Sequence, residues 1–189
     1  MRYGAGDEVR PRVAEAARRV AALREAMPFR VLGAVGAAPE PAWLAECHRV
    51  DERWQRITLL HGRLDAAPAV WVTSAVHDAE PVGLAESLRL ERDGYPGFDA
   101  GASPTPDSSG QQMAGRTARA DLVVDGAAVA AEVLTEGTWW AARVVLDTVT
   151  VTVVGHRFPL TEVRLATVTG LGPYLDGREA ELARRRGQL

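Results

Sequence analysis

Two tryptophans stand side by side, Trp139 and Trp140, at the head of the segment EGTWWAARVVLDTVTVTVVGH. The apolar spacing there has a period of two, which predicts strand, and neighbouring side chains on a strand point to opposite faces. The two indoles therefore cannot form one patch. Over 138–146, Trp140 shares its face with Ala142, Val144 and Leu146, all apolar. Trp139 shares the other with Ala141, Arg143 and Val145, a face that carries one cation. This pattern predicts Trp140 as a core residue and Trp139 as a partly exposed aromatic beside Arg143. Tryptophan and arginine dominate interface hot spots, so Trp139 and Arg143 are candidate protein-contact residues.

The surrounding sequence is strand-like. ARADLVVDGAAVAAEVLTEG holds Asp125-Gly126, a strong hairpin turn signal between apolar runs. Asp147-Thr148 is a candidate turn into VTVTVV, where Val149, Val151 and Val153 face one way and Thr150 and Thr152 the other. Gly155-His156 marks the next turn, EVRLATV gives a last strand, and LDGREAELARRRGQL reads as a short charged helix. Five short strands in about fifty residues predict an antiparallel meander or a small barrel. The tryptophan-led strand, the Val-Thr ladder and the final VRL strand together resemble an SH3-like barrel closed by the short helix.

The first half reads differently. Val9, Val13, Ala16, Val20, Leu23 and Met27 recur at spacings of four and three, one apolar seam on a helix, with Asp7 as N-cap. Val13, Val20 and Leu23 on that seam are candidate contacts with a partner helix, the alternative being a helix docked on its own core. PFRVLGAVG predicts a short strand. PEPAWLAECHRVDERWQ predicts a helix, because Trp43, Cys47, Val50 and Trp54 fall on one helical face. RITLLHGRL and PAVWVTSAV predict a hairpin; in AEPVGLAESLRLERDG, Val82, Ala85 and Leu88 suit a helix ending at Gly94, the alternative being a strand through Leu88 and Leu90. Residues 94–117, rich in Gly, Pro and Ser, predict a flexible linker or long loop. The expected class is thus α+β: an N-terminal α/β domain over 1–93 with two or three helices and about three strands, and a C-terminal β-rich domain over 118–189 with a terminal helix.

Composition narrows the function classes. All 22 basic residues are arginine and the net charge is -3, which argues against a general nucleic-acid binder. The lone Cys47 allows no intramolecular disulfide, the opening MRYGAGDEVRPR has no apolar core of a signal peptide, and no apolar run reaches bilayer length. A cytoplasmic protein of bacterial type, with no membrane partner, is expected.

Five constellations compete with simpler structural roles. Cys47-His48 are adjacent on the predicted helix and diverge by about 100°. Ser74, His77 and Asp78 have the residue types of a nucleophile, base and orienter but no G-x-S-x-G elbow. His48, His61, His77 and His156 have no metal-site spacing, and no cofactor is expected. GAVGAAPE, between a predicted strand and a predicted helix, could hold an anion through the backbone at Gly33 and Gly36, yet lacks the full dinucleotide or P-loop pattern. ARRRG near the C-terminus complements a helix dipole. The expectation is a non-enzymatic protein-interaction module, an adaptor or assembly subunit that binds a protein partner or itself. The alternatives are a small hydrolase or transferase with its site between the two parts, and an anion- or nucleotide-binding regulatory domain.

Overall fold

The computed structural model describes residues 29–39, 42–50, 53–63, 66–77, 79, 82–94 and 116–169. The predicted helix over 7–27, most of the Gly/Pro/Ser-rich segment (95–115) and the predicted terminal helix lie outside them. So do Val13, Val20 and Leu23.

The described residues form nine strands: β1 Leu32–Val35, β2 Ala42–Val50, β3 Arg53–Arg63, β4 Ala66–Val76, β5 Arg116–Val124, β6 Ala127–Glu136, β7 Trp139–Val145, β8 Val149–His156 and β9 Arg164–Thr167. One helix, α1 (Leu84–Gly94), follows β4. The strands belong to a single sheet in the order β1-β9-β5-β6-β7-β8-β4-β3-β2. All neighbours are antiparallel except β5 and β9, which run parallel. β4 pairs with β8 and β1 with β9, so strands from both sides of the 95–115 segment share one sheet.

This corrects the expected α/β N-terminal part with two or three helices. The segment from Trp43 to Trp54, read as helix, is β2 turning into β3. Its pairing is irregular at Leu44/Glu46 and at His48/Arg49. A β-bulge adds one residue to a strand, so apolar positions two apart become three apart. With Ala45 extra in β2 and Gln55 extra in β3, neither strand keeps the unbroken period of two that would identify it in the sequence. The expected turn at Gly155-His156 also shifts: β8 continues to His156, and the chain reverses at Arg157, whose φ is 51°. By contrast Asp125 and Gly126 both have positive φ, 47° and 83°, as a type I′ hairpin requires.

The sheet curls almost into a barrel around one apolar interior. Leu32, Val70, Val72, Leu122, Val133, Trp140, Ala142, Val144, Val151, Val153 and Leu165 point inward and are buried together. Trp140 behaves as its alternation requires. It lies opposite Gly155 on β8, and its Nε1 donates to the Phe158 carbonyl at 2.6 Å. A Cβ at Gly155 would sit 2.2 Å from the indole, so only glycine leaves room for the ring. Gly155→Ala is expected to displace Trp140 from Phe158 and to cost about 1–3 kcal/mol, an overpacking penalty, read as a lowered denaturant midpoint. An unchanged midpoint would show that the indole moves aside freely.

Candidate functional site

Trp139 is the residue for which the sequence left a surface role open. The structure buries it: only 4% of Trp139 is exposed. It lies opposite His156 and stacks on that ring with centroids 4.1 Å apart and planes 7° from parallel. Trp71 also stacks on Trp139, with centroids 5.7 Å apart. Leu84 and Leu88, one helical turn apart on α1, complete this outer cluster with Leu60, Leu134 and Val154. Each leucine so buried contributes about 1.5–3 kcal/mol. Arg143 is equally internal in purpose. Its guanidinium donates through Nη2 to the Val82 carbonyl, just before α1. Arg92, in the last turn of α1, meets Glu136 at 3.4 Å. Thus α1 is fixed to the sheet at both ends, and the aromatic face is covered by the chain's own helix.

The residues weighed for catalysis or anion binding are dispersed or structurally engaged. Ser74 lies on the inner face, fully buried, and its Oγ accepts the Leu32 N–H at 3.0 Å. His61 is on the same face, since it pairs with Val70, and its Nε2 accepts the Ala34 N–H at 3.0 Å. His156 is on the opposite face, in the Trp139 stack. His48 and His77 are exposed on β2 and after β4. Gly33 is inside β1 opposite Ala166, and Gly36 (φ 76°) begins the turn that leaves it. The helix N-terminus on which an anion site at Gly33 and Gly36 depended is absent, because Ala42–Val50 is strand. Among the described residues no cluster of His, Cys, Asp and Glu is arranged to hold a metal ion, and no helix is long and apolar enough to cross a membrane.

What the arrangement does offer is strand edges, and they differ in kind. β1 has one ladder, with β9, and the Val31 carbonyl accepts from Val168 N–H on that side. The N–H groups of Leu32 and Ala34 therefore point the other way, and Ser74 and His61 satisfy them. This seam closes the curl with side-chain acceptors in place of a backbone ladder. Burial holds the His61 pKa down to about 4 from 6.5, so its Nε2 is an unprotonated acceptor near neutral pH. On the other side of β1, at its junction with β9, Asp125 accepts from Thr167 N–H and Oγ1–H, both at 2.7 Å, and from Arg30 Nη2 at 2.6 Å. The Thr167 bonds, then Arg30, hold its carboxyl below the ordinary value of 3.8.

β2 is the second edge, irregular at two places. β5 supplies the third. It pairs with β6 without a break from Arg116 to Val124, yet meets β9 only at Val123 and Val124. Among the described residues no strand pairs with the outer side of Arg116–Leu122. The direction of the free groups follows from Asp125, whose N–H donates to Leu165 of β9. Peptide groups alternate along a strand, so Arg119 and Asp121 turn theirs outward while Ala118 and Ala120 serve β6. Arg116, Thr117, Ala118, Arg119 and Asp121 are exposed. An open recess of about 510 Å³ lies beside them, lined by Thr117, Ala118, Arg119 and Glu132. The sequence reading passed over these residues. Charged positions in the first half of a strand whose second half is apolar were the available signal, because charge is a common mark of an edge.

Comparison with protein families, with curated proteins and with solved structures finds no match for this chain.

Two outcomes test the seam. Ser74→Ala leaves the buried Leu32 N–H without its acceptor and is expected to cost about 1–3 kcal/mol in chemical denaturation; a loss near zero would mean the bond adds nothing. His61 is neutral in the folded state and protonates near pH 6.5 when unfolded, so its share of stability is complete above that pH. It declines as pH falls toward about 4, by up to about 3 kcal/mol, and is constant below. In His61→Gln, which keeps an acceptor, this part of the decline is expected to vanish from a stability-versus-pH curve.

Proposed function

We propose that this chain is a non-enzymatic protein-interaction module, an adaptor or assembly subunit that binds by β-strand addition along the outer edge of β5. The supporting observation is the run of outward peptide groups between Arg116 and Leu122, which no described strand uses. An unpaired, regular edge is a template for another strand, with backbone bonds giving affinity and alternate side chains giving selectivity. Of the three edges, β1 is capped by Ser74 and His61 and β2 is interrupted by two irregularities. Bulged edges make poor templates. The recess beside Thr117 and Arg119 gives an incoming strand a place for a side chain.

The test uses a proline. Arg119 N–H points away from β6, so Arg119→Pro deletes a donor from the open edge and none from the β5–β6 ladder. The variant is expected to keep the wild-type circular dichroism and melting temperature. A photo-crosslinking residue in place of Thr117 is expected to trap a protein in host cells, and Arg119→Pro to abolish the trapping. Trapping that survives the proline in a folded variant would exclude this edge as the binding surface.

A further inference from the structure

The two faces of the β5–β6 hairpin are finished differently. Inward, Leu122, Val124, Ala131 and Val133 are buried in the barrel. Outward, Arg119, Asp121, Ala128, Ala130 and Glu132 are exposed, and Val145 on neighbouring β7 is 66% exposed. Beside them the same outer face is covered, because α1 packs Leu84 and Leu88 over Leu134, Trp139 and Ala141. Among the described residues no second helix lies next to α1. We propose that residues 9–27 of this chain fill that place, with their apolar seam laid along the outer face of β5 and β6. This goes beyond the edge reading and does not rest on it, since the outward peptide groups of β5 lie in the plane of the sheet and stay open.

The tether fixes where the segment starts. Arg30 is clasped by Asp125 in the β5–β6 turn. Met27, the last residue of the seam, is three positions before Arg30 and so lies within about 10 Å of it. Pro28 ends a helix at that corner. From there the outer face runs up the hairpin from Val123 and Ala128 to Thr117 and Leu134. That stretch is about 20 Å long at the rise of a strand. A helix from Val9 to Met27 is about 27 Å long, enough to cover it from end to end. The larger seam residues Leu23 and Val20 come level with Ala128 and Ala130, whose small side chains leave room for them. The charges fall in matching order. Counted from Met27, Arg19, Glu15 and Arg12 stand about 12, 18 and 22 Å up the helix. Counted from Asp125, Asp121 stands about 13 Å and the Arg119–Glu132 pair about 20 Å up the strands. Arg19 thus comes level with Asp121, Glu15 with Arg119, and Arg12 with Glu132. The open recess lined by Thr117, Ala118, Arg119 and Glu132 receives the upper part of the segment.

The experiment is disulfide trapping in the full chain carrying Cys47→Ala. Leu23→Cys with Ala128→Cys is expected to form a bond within one chain under mild oxidation. Leu23→Cys with Arg89→Cys, on the exposed side of α1, is expected to form none. Ala130→Asp supplies a second measurement. Ala130 is exposed among the described residues, so an aspartate there is silent if nothing docks on it. Docking predicts that it releases the segment and speeds tryptic cleavage after Arg18 and Arg19 by about tenfold or more. A Leu23–Ala128 disulfide that links two chains overturns the proposal, since the segment of a second copy would then fill the place. Absence of that disulfide overturns it, and so does an Ala130→Asp variant cleaved at the wild-type rate.

Discussion

The barrel depends on what happens to two N–H groups, those of Leu32 and Ala34. An edge strand carries a row of donors that must find partners once buried. Here the partners are a hydroxyl and an imidazole, Ser74 and His61, projecting from the inner faces of β4 and β3. That choice lets the sheet curl upon itself without a ninth ladder. It also explains two buried polar side chains in an otherwise apolar interior. Each would be costly alone, and each is held by one specific backbone group.

With the curl closed, β7 and β8 have no watery side over most of their length. Inward they meet the valine ladder; outward they meet Trp71 and α1. Antiparallel strands commonly present one face to water. These strands instead need apolar residues at both parities, and the adjacent tryptophans are the clearest case. Trp140 fills the space above Gly155 inside, and Trp139 fills the space beneath Leu84 and Leu88 outside.

How much of this was legible in the sequence follows from which signals are local. Strand alternation is local, so the opposite faces of Trp139 and Trp140 could be read directly. The Asp125-Gly126 turn was equally legible, whereas the segment of the helix ending at Gly94 carried both a helical and a strand spacing. The bulged β2 was not legible, because bulges erase the period that identifies a strand. Burial of Trp139 was not either, since the helix that covers it is about fifty residues upstream and joined through Arg143 and Val82. The single sheet was hidden for the same reason: pairing of β4 with β8 and of β1 with β9 leaves no mark in either segment alone. The edge at Arg119 and Asp121 became visible only once β9 was seen to stop short of them.

The clasp at Asp125 has a consequence for how the chain holds together. Arg30 and Thr167 are 137 positions apart, and a single carboxylate joins both. Closing so long a loop costs little more entropy than closing one half its length, because the cost grows only with the logarithm of loop size. The first and last described strands are thus each other's neighbours, β1 on β9, with the clasp at their junction. β1 is the outermost strand at that junction, and its outward N–H groups are tied to Ser74 and His61, so it does not fray by itself. Loss of β1 would strip β9 of its longer ladder and uncover the interior at once, so the two ends of this fold stand or fall as one unit.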